Sequence, residues 1–179
     1  MNTPQDPFRR PSDRLARAGL DDLERLPVWA LLDNVRSVGN VGSMFRTADA
    51  AGLAGLYLAG VTATPPRPDM EKTALGATET VPWDYWPDPV ACVRALQARG
   101  VTVAAVEQTP AATDLEAWAM PFPCCFVVGH EVRGVTPEVL EAVDAHVEIP
   151  MHGAKRSLNV AVSFGVVAFA ARARWRRTR

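Results

Sequence analysis

Acidic residues are missing from the sequence after Glu148. Lys155, Arg156, Arg172, Arg174, Arg176, Arg177 and Arg179 stand unopposed there, so a formal net charge of -1 conceals a tail of +7 on a body of -8. Such a split excludes an evenly charged surface. It leaves two readings: a contact with a polyanion, or a solvated arginine-rich helix end that suits the macrodipole. Cysteine is scarce, and Cys92, Cys124 and Cys125 form no CxxC pair and no even framework, which excludes a disulfide scaffold. Neighbouring residues of a strand point to opposite faces, so Cys124 and Cys125 read as reduced packing residues of two different layers. His130, His146 and His152 lack metal-ligand spacing, and the position four after His130 is Gly134, so the His-Glu pair is no zinc motif and no metal is expected.

No stretch reaches the ~18 continuous apolar residues of a membrane span, and residues 1–27 lack the apolar core of a signal peptide. The expectation is a soluble, cytoplasmic protein with no membrane partner. No GK[ST] follows a glycine-rich loop, and no GxGxxG follows a strand. The first absence excludes a phosphate-binding P-loop, and the second disfavours a dinucleotide oxidoreductase. There is no internal repeat and no low-complexity segment.

What is present is a chain of 179 residues, 48% hydrophobic, enough for one well-buried domain. Residues 1–27 read as an extension with a short helix, capped by Ser12 and carrying Leu15, Leu20, Leu23 and Leu26. The main domain is placed at 28–179. Within it, strands are expected at 28–32, 53–59, 80–83, 101–106, 124–128 and 147–151. Helices are expected at 41–51, 89–99, 113–119, 137–143 and 160–171, with a polar, proline-rich connection at 62–79. Strands that are continuous apolar runs, alternating with helices, mean an α/β domain with a largely parallel sheet. Ligands of such sheets bind beyond the carboxyl ends of the strands, which directs attention to the loops after Leu32, Val106, Val128 and Met151.

Residues 147–165 organise the rest. Val147, Ile149 and Met151 alternate with polar or small neighbours and then give way to HGAKR, after which Ser157 offers a helix N-cap. The helix from Val160 is apolar or small all round and is expected to be buried on nearly every side. Ser157 and Asn159 are polar side chains at its mouth, serving either as cap and loop residues or as a ligand-facing pair. Two other strand exits stand out. In NVRSVGNVGSMFRTADAAG, Gly39 and Gly42 flank Asn40 before a helix whose one basic residue is Arg46, which either pairs with Asp49 or faces a ligand. In CCFVVGHEVRGV, Gly129 ends a buried strand and is followed by His130, Glu131, Arg133 and Gly134, either as solvated loop charges or as site residues.

In this order, GNVGSMFRTADAAG, FVVGHEVRGV and IPMHGAKRSLNVAVSFG resemble the three motifs of the SpoU or TrmH family of RNA ribose 2′-O-methyltransferases, in the SPOUT superfamily. The resemblance covers 28–175. It implies an S-adenosylmethionine-dependent enzyme acting on a ribose 2′-hydroxyl of tRNA or rRNA, with a noncatalytic RNA-binding protein that keeps the cofactor fold as the alternative. It further implies a parallel-sheet SPOUT fold with a C-terminal deep trefoil knot, a homodimer, and RNA as partner. The residues it assigns to catalysis are Asn40, Arg46, Glu131, Ser157 and Asn159. Those it assigns to S-adenosylmethionine are Val106, Glu107, Gly129, Ile149, Met151, Ser157 and Leu158. His130 stands where the family commonly has Asn.

Overall fold

In the computed structural model, residues 24–179 are described. The helix expected within 1–27 lies outside them except for its last leucine, Leu26, which is a buried strand residue and not part of a helix. The first strand, β1 (Leu26–Asp33), begins two residues earlier than expected and ends one later. It leads through Asn34, held at φ 58° with its side-chain amide on Asp33 Oδ1, into α1 (Val38–Ala51). This helix starts before Val41 because Ser37 caps it, accepting from the Asn40 amide, and it stops at Gly52 in the left-handed region. Next comes β2 (Leu53–Ala59), with the expected bounds.

The proline-rich connection is more ordered than its composition suggests. It contains α2 (Pro68–Ala74) and α3 (Ala77–Thr80), and the strand expected at 80–83 is displaced to β3 (Trp83–Trp86). Pro68 at the first helical position and Asp69 and Glu71 in the first turn favour α2. After β3, Asp88 caps α4 (Pro89–Gln97), which leads to β4 (Thr102–Val106). The helix expected at 113–119 is absent. In its place is β5 (Thr113–Asp114), paired with the strand that ends at Glu148, and a turn in which Ala117 and Trp118 both donate to the Asp114 carbonyl. Then follow β6 (Cys124–Val128), α5 (Pro137–Ala142) and β7 (Ala145–Glu148), which stops short of Ile149 and Met151. The last element, α6 (Val160–Arg177), runs six residues past the apolar stretch.

The seven strands form one sheet in the order β3-β2-β1-β6-β4-β7-β5, and every pair in it is parallel. Each face carries its own core. On one, Val28, Ala30, Leu32, Cys124 and Phe126 meet α1, α2, α3 and α6. On the other, Leu31, Tyr57, Cys125 and Val127 meet α4 and α5. Cys124 and Cys125 therefore do serve different layers, and burial pushes both thiols up.

Two local expectations change, both at α6, and the residue before α5 takes an unexpected partner. Asn159, not Ser157, is the N-cap of α6, and its Oδ1 accepts from the amides of Ala161 at 2.8 Å and Val162 at 3.4 Å. Thr136 precedes α5 without capping it, because its hydroxyl donates instead to the buried Asp33 carboxylate at 2.9 Å. The helix α6 is buried on one side only. Phe164, Val167, Ala168 and Ala171 are enclosed, whereas Val162, Val166 and Phe169 are 52%, 39% and 51% exposed along one stripe. Gly165, at the border of that stripe, lies near Thr47 of α1.

The arginine tail is not uniformly free. Arg174 turns inward, its Nη2 donating to the carbonyls of Leu115 and Glu116, while Trp175 packs edge-on against Phe122 at 5.1 Å. Arg179 lies over Trp175 and pairs with Glu24. The end of α6 thus fastens the turn after β5. No helix among the described residues is long and apolar enough to cross a membrane.

Candidate active site

The strands β1, β6, β4 and β7 are neighbours in the sheet, so their carboxyl ends converge. The exits of β6, β4 and β7 enclose a cleft of about 250 Å3. All seven residues assigned to the methyl donor line it: Val106, Glu107, Gly129, Ile149, Met151, Ser157 and Leu158. Gln108, His130, Glu131 and Ser163 line it too.

Backbone packing fixes the β6 side. A Cβ on Gly129 would collide with the main chain of Gly134 and Val135, so only glycine allows the two sides of this turn to touch. His130 and Gly134 exchange two backbone hydrogen bonds of 2.9 Å, with Gly134 at φ 72°. Glu107 closes the turn from β4, its Oε2 accepting from the Val135 amide at 3.1 Å. A Cβ on Gly134 would strike that carboxylate.

Glu131 points from this turn to the start of α1. Its Oε1 accepts from the Ser37 amide at 2.8 Å and from Asn40 Nδ2 at 3.0 Å, and its Oε2 accepts from the Arg36 amide at 3.1 Å. An anion here satisfies N–H groups at a helix N-terminus and complements the dipole. Burial pushes the Glu131 carboxyl up, but the hydrogen bonds from Ser37, Asn40 and Arg36 together outweigh it and hold the group below the ordinary carboxylate range.

The chain of contacts continues. Asn40 Oδ1 accepts from Asn159 Nδ2 at 3.3 Å, and Asn159 Oδ1 accepts from the first amides of α6. A carboxylate can only accept and helix amides can only donate, so the two ends of this relay fix the orientation of both side-chain amides between them. Asn40, Glu131 and Asn159, far apart in sequence, are thereby brought into one network joining the N-termini of α1 and α6. Ser157 lies two residues from it, exposed on the cleft wall. Arg46 stands apart, exposed on α1 and outside the network, and Asp49 accepts instead from the Thr80 hydroxyl at 2.7 Å.

Sequence reasoning missed Ser37 and Gln108. Ser37 was legible as a cap three residues before Asn40. Gln108, whose Nε2 donates to the Arg156 carbonyl at 2.9 Å and so holds the 149–159 segment over the cleft, carries no sequence signal. No group of three or more metal-ligating side chains occurs among the described residues.

Comparison with known proteins bears on this arrangement. The model of the SpoU rRNA Methylase family matches residues 27–169. The chain belongs to that family. It is 36% identical over 152 residues to the 23S rRNA (guanosine-2'-O-)-methyltransferase RlmB of Ralstonia nicotianae, covering 85% of this chain and 61% of that protein. It is 30% identical to the tRNA (guanosine(18)-2'-O)-methyltransferase of Aquifex aeolicus, covering 78% of this chain and 65% of that protein. This SpoU family chain thus spans less than two thirds of the length of these relatives. Among solved structures, the AdoMet-bound rRNA methyltransferase of Sinorhizobium meliloti superposes with a TM-score of 0.78 at 30% identity, covering 87% of this chain and 60% of that one.

Proposed function

We propose that this protein is an S-adenosylmethionine-dependent RNA methyltransferase that modifies a ribose 2′-hydroxyl of rRNA or tRNA. One observation carries the reading: the seven positions that the resemblance assigns to the donor line a single cleft, and Asn40, Glu131 and Asn159 are hydrogen-bonded together beside it.

The cleft fits the donor. Val106, Ile149, Met151 and Leu158 offer apolar walls, and Gly129 leaves main chain accessible where any side chain would obstruct it. Glu107 and Gln108 add polar groups at the β4 exit. Bound there, S-adenosylmethionine would supply a methyl carbon activated by a sulfonium leaving group. The protein's contribution is placement, which supplies much of the acceleration of a displacement between two held partners. Glu131 fixes Asn40, Asn40 fixes Asn159, and Asn159 fixes the start of α6 beside Ser157. The Ser157 hydroxyl, exposed on the wall, is free to hydrogen-bond the incoming ribose. Arg46 is free to grip a phosphate with its planar fork and to stabilise developing alkoxide charge. Arg176 and Arg177, exposed at the end of α6, add phosphate contacts that raise affinity without selecting a transition state.

The domain responsible is the one expected at 28–179, joined by Leu26 and Pro27 at the start of β1, with the residues before them as an extension. A deep trefoil knot of its C-terminal part is supported by the path of the chain. After β7 the chain recrosses the β4 exit, where Gln108 holds it, and α6 then packs against α1 and β6. A homodimer is supported by the exposed stripe Val162, Val166 and Phe169, since an apolar face of this kind is unfavourable in water and suits a second copy.

Titration calorimetry tests the donor site. S-adenosylmethionine and S-adenosylhomocysteine should bind and NAD should not; binding of neither sulfur compound would refute the proposal. Sedimentation tests the assembly. The wild type should run as a dimer and Phe169→Asp as a monomer, and a monomeric wild type at micromolar concentration would overturn the dimer.

A further inference from the structure

His130 does something that its place on the cleft wall does not require. Its Nδ1 accepts from the amide of Val132 at 3.0 Å and, more weakly, from that of Arg133 at 3.4 Å. An imidazole nitrogen that accepts carries no proton, so the ring is neutral with its hydrogen on Nε2. The two amides belong to the tip of the 130–134 turn, where Val132 is 87% exposed, and among the described residues His130 is the acceptor they meet. Between them and His130 lies Glu131, whose carboxylate organises Arg36, Ser37 and Asn40.

We propose that neutral His130 is a positioning residue for the methyl-transfer site, and that protonating its Nδ1 releases Glu131 from the start of α1. A proton taken from solvent onto Nδ1 would set a donor against two donors, so the ring must leave its place. The turn then keeps its backbone bridge to Gly134 but loses the acceptor that shapes its tip. Glu131, adjacent to the ring, loses its aim, and Asn40 and Asn159 lose their anchor with it.

The charged groups around the ring come from every element packed there. On its own turn they are Glu131 and Arg133, and from the β4 exit Glu107. Glu148 and Arg156 come from β7 and the segment after it, and Arg36 from the approach to α1. Only the imidazole among them uses a single atom as acceptor when neutral and donor when charged.

An asparagine at this position offers an acceptor at a similar reach, its Oδ1, which does not take up a proton in the working range of pH. That makes the conservative variant decisive. The inference rests on the methyltransferase reading, so it is tested both through activity and without it. Methyl transfer from radiolabelled S-adenosylmethionine to total RNA of a deletion strain is measured across pH for wild type, His130→Asn and His130→Ala.

In the wild type, kcat/KM should fall on the acid side with one protonation. His130→Ala should lose about tenfold even where the imidazole is neutral, the size of one hydrogen bond. His130→Asn should recover most of that loss and lose the acid limb. An acid limb in His130→Asn identical to that of the wild type overturns the inference while leaving the activity standing.

Nuclear magnetic resonance decides the matter even if no transfer is seen. In the wild type the Val132 and Ser37 amides should shift with the His130 ring as it titrates, and in His130→Asn they should not. Amides that ignore the ring, or a ring that carries its neutral proton on Nδ1, refute the inference whatever the activity.

Discussion

The two walls of the cleft are built differently. The 130–134 turn is fastened at four points although its tip is exposed: backbone to backbone, Glu107 to Val135, His130 to Val132, and Glu131 to the start of α1. The facing segment, 149–159, is exposed over most of its length. It is fastened in the middle by the Gln108 bond to the Arg156 carbonyl and at its end by Asn159. A wall with many fastenings facing a more exposed one suits the proposed site, which would hold dipoles still yet admit a bulky donor. The lesson is that the polar motif residues divide the same way. Glu131, Asn40 and Asn159 build the hydrogen-bonded wall and its links, while Ser157 sits on the exposed one.

Substitutions should rank by wall when stability is the measure. Gly129→Ala pushes a methyl group into the main chain of Gly134 and Val135 and should cost roughly 1–3 kcal/mol. It should also abolish S-adenosylhomocysteine binding by calorimetry. Normal binding and an unchanged melting temperature would show the wall to be pliable.

Glu131→Gln keeps the shape but loses the charge that two backbone amides share. The site is exposed, so solvent screening limits the cost to about 1 kcal/mol. The effect has a defined pH sign. The folded carboxyl lies below the ordinary range, so its contribution is complete above the unfolded value and disappears as pH falls through the folded one. Melting curves of wild type and Glu131→Gln should therefore differ at neutral pH and converge in acid.

Gln108→Ala removes the tether of the loose wall and should change stability by under about 0.5 kcal/mol. Its mark should be a KM for the donor raised several-fold at nearly constant kcat. Ser157→Ala should be the mildest of all for folding, since the hydroxyl is exposed and has no hydrogen-bond partner among the described residues. A large loss of methyl transfer in a protein of wild-type melting temperature is the expected result.

Much of this was readable in the sequence. Leu53–Ala59 and Cys124–Val128 are strands at the bounds their apolar runs suggest, because both are enclosed by helices on two faces. The convergence of strand exits follows from a parallel sheet, and the cleft lies where that rule puts it. Other features depend on distant partners. Thr113 and Asp114 become a strand only because β7 lies beside them. Asn159 takes the cap from Ser157 because Asn40 holds its amide in place. The apolar composition of α6 does not distinguish a core from a face left for another subunit, and the inward turn of Arg174 is invisible until the carbonyls of Leu115 and Glu116 are brought to it.

The most direct test of the account is nucleoside mass spectrometry of rRNA and tRNA from a deletion strain, before and after incubation with purified protein and S-adenosylmethionine. The account predicts a 2′-O-methylated nucleoside that is missing from the deletion strain, is restored by the wild-type protein, and is not restored by Ser157→Ala. A complete set of 2′-O-methyl marks in the deletion strain, together with no methyl transfer to any RNA in vitro, would contradict it.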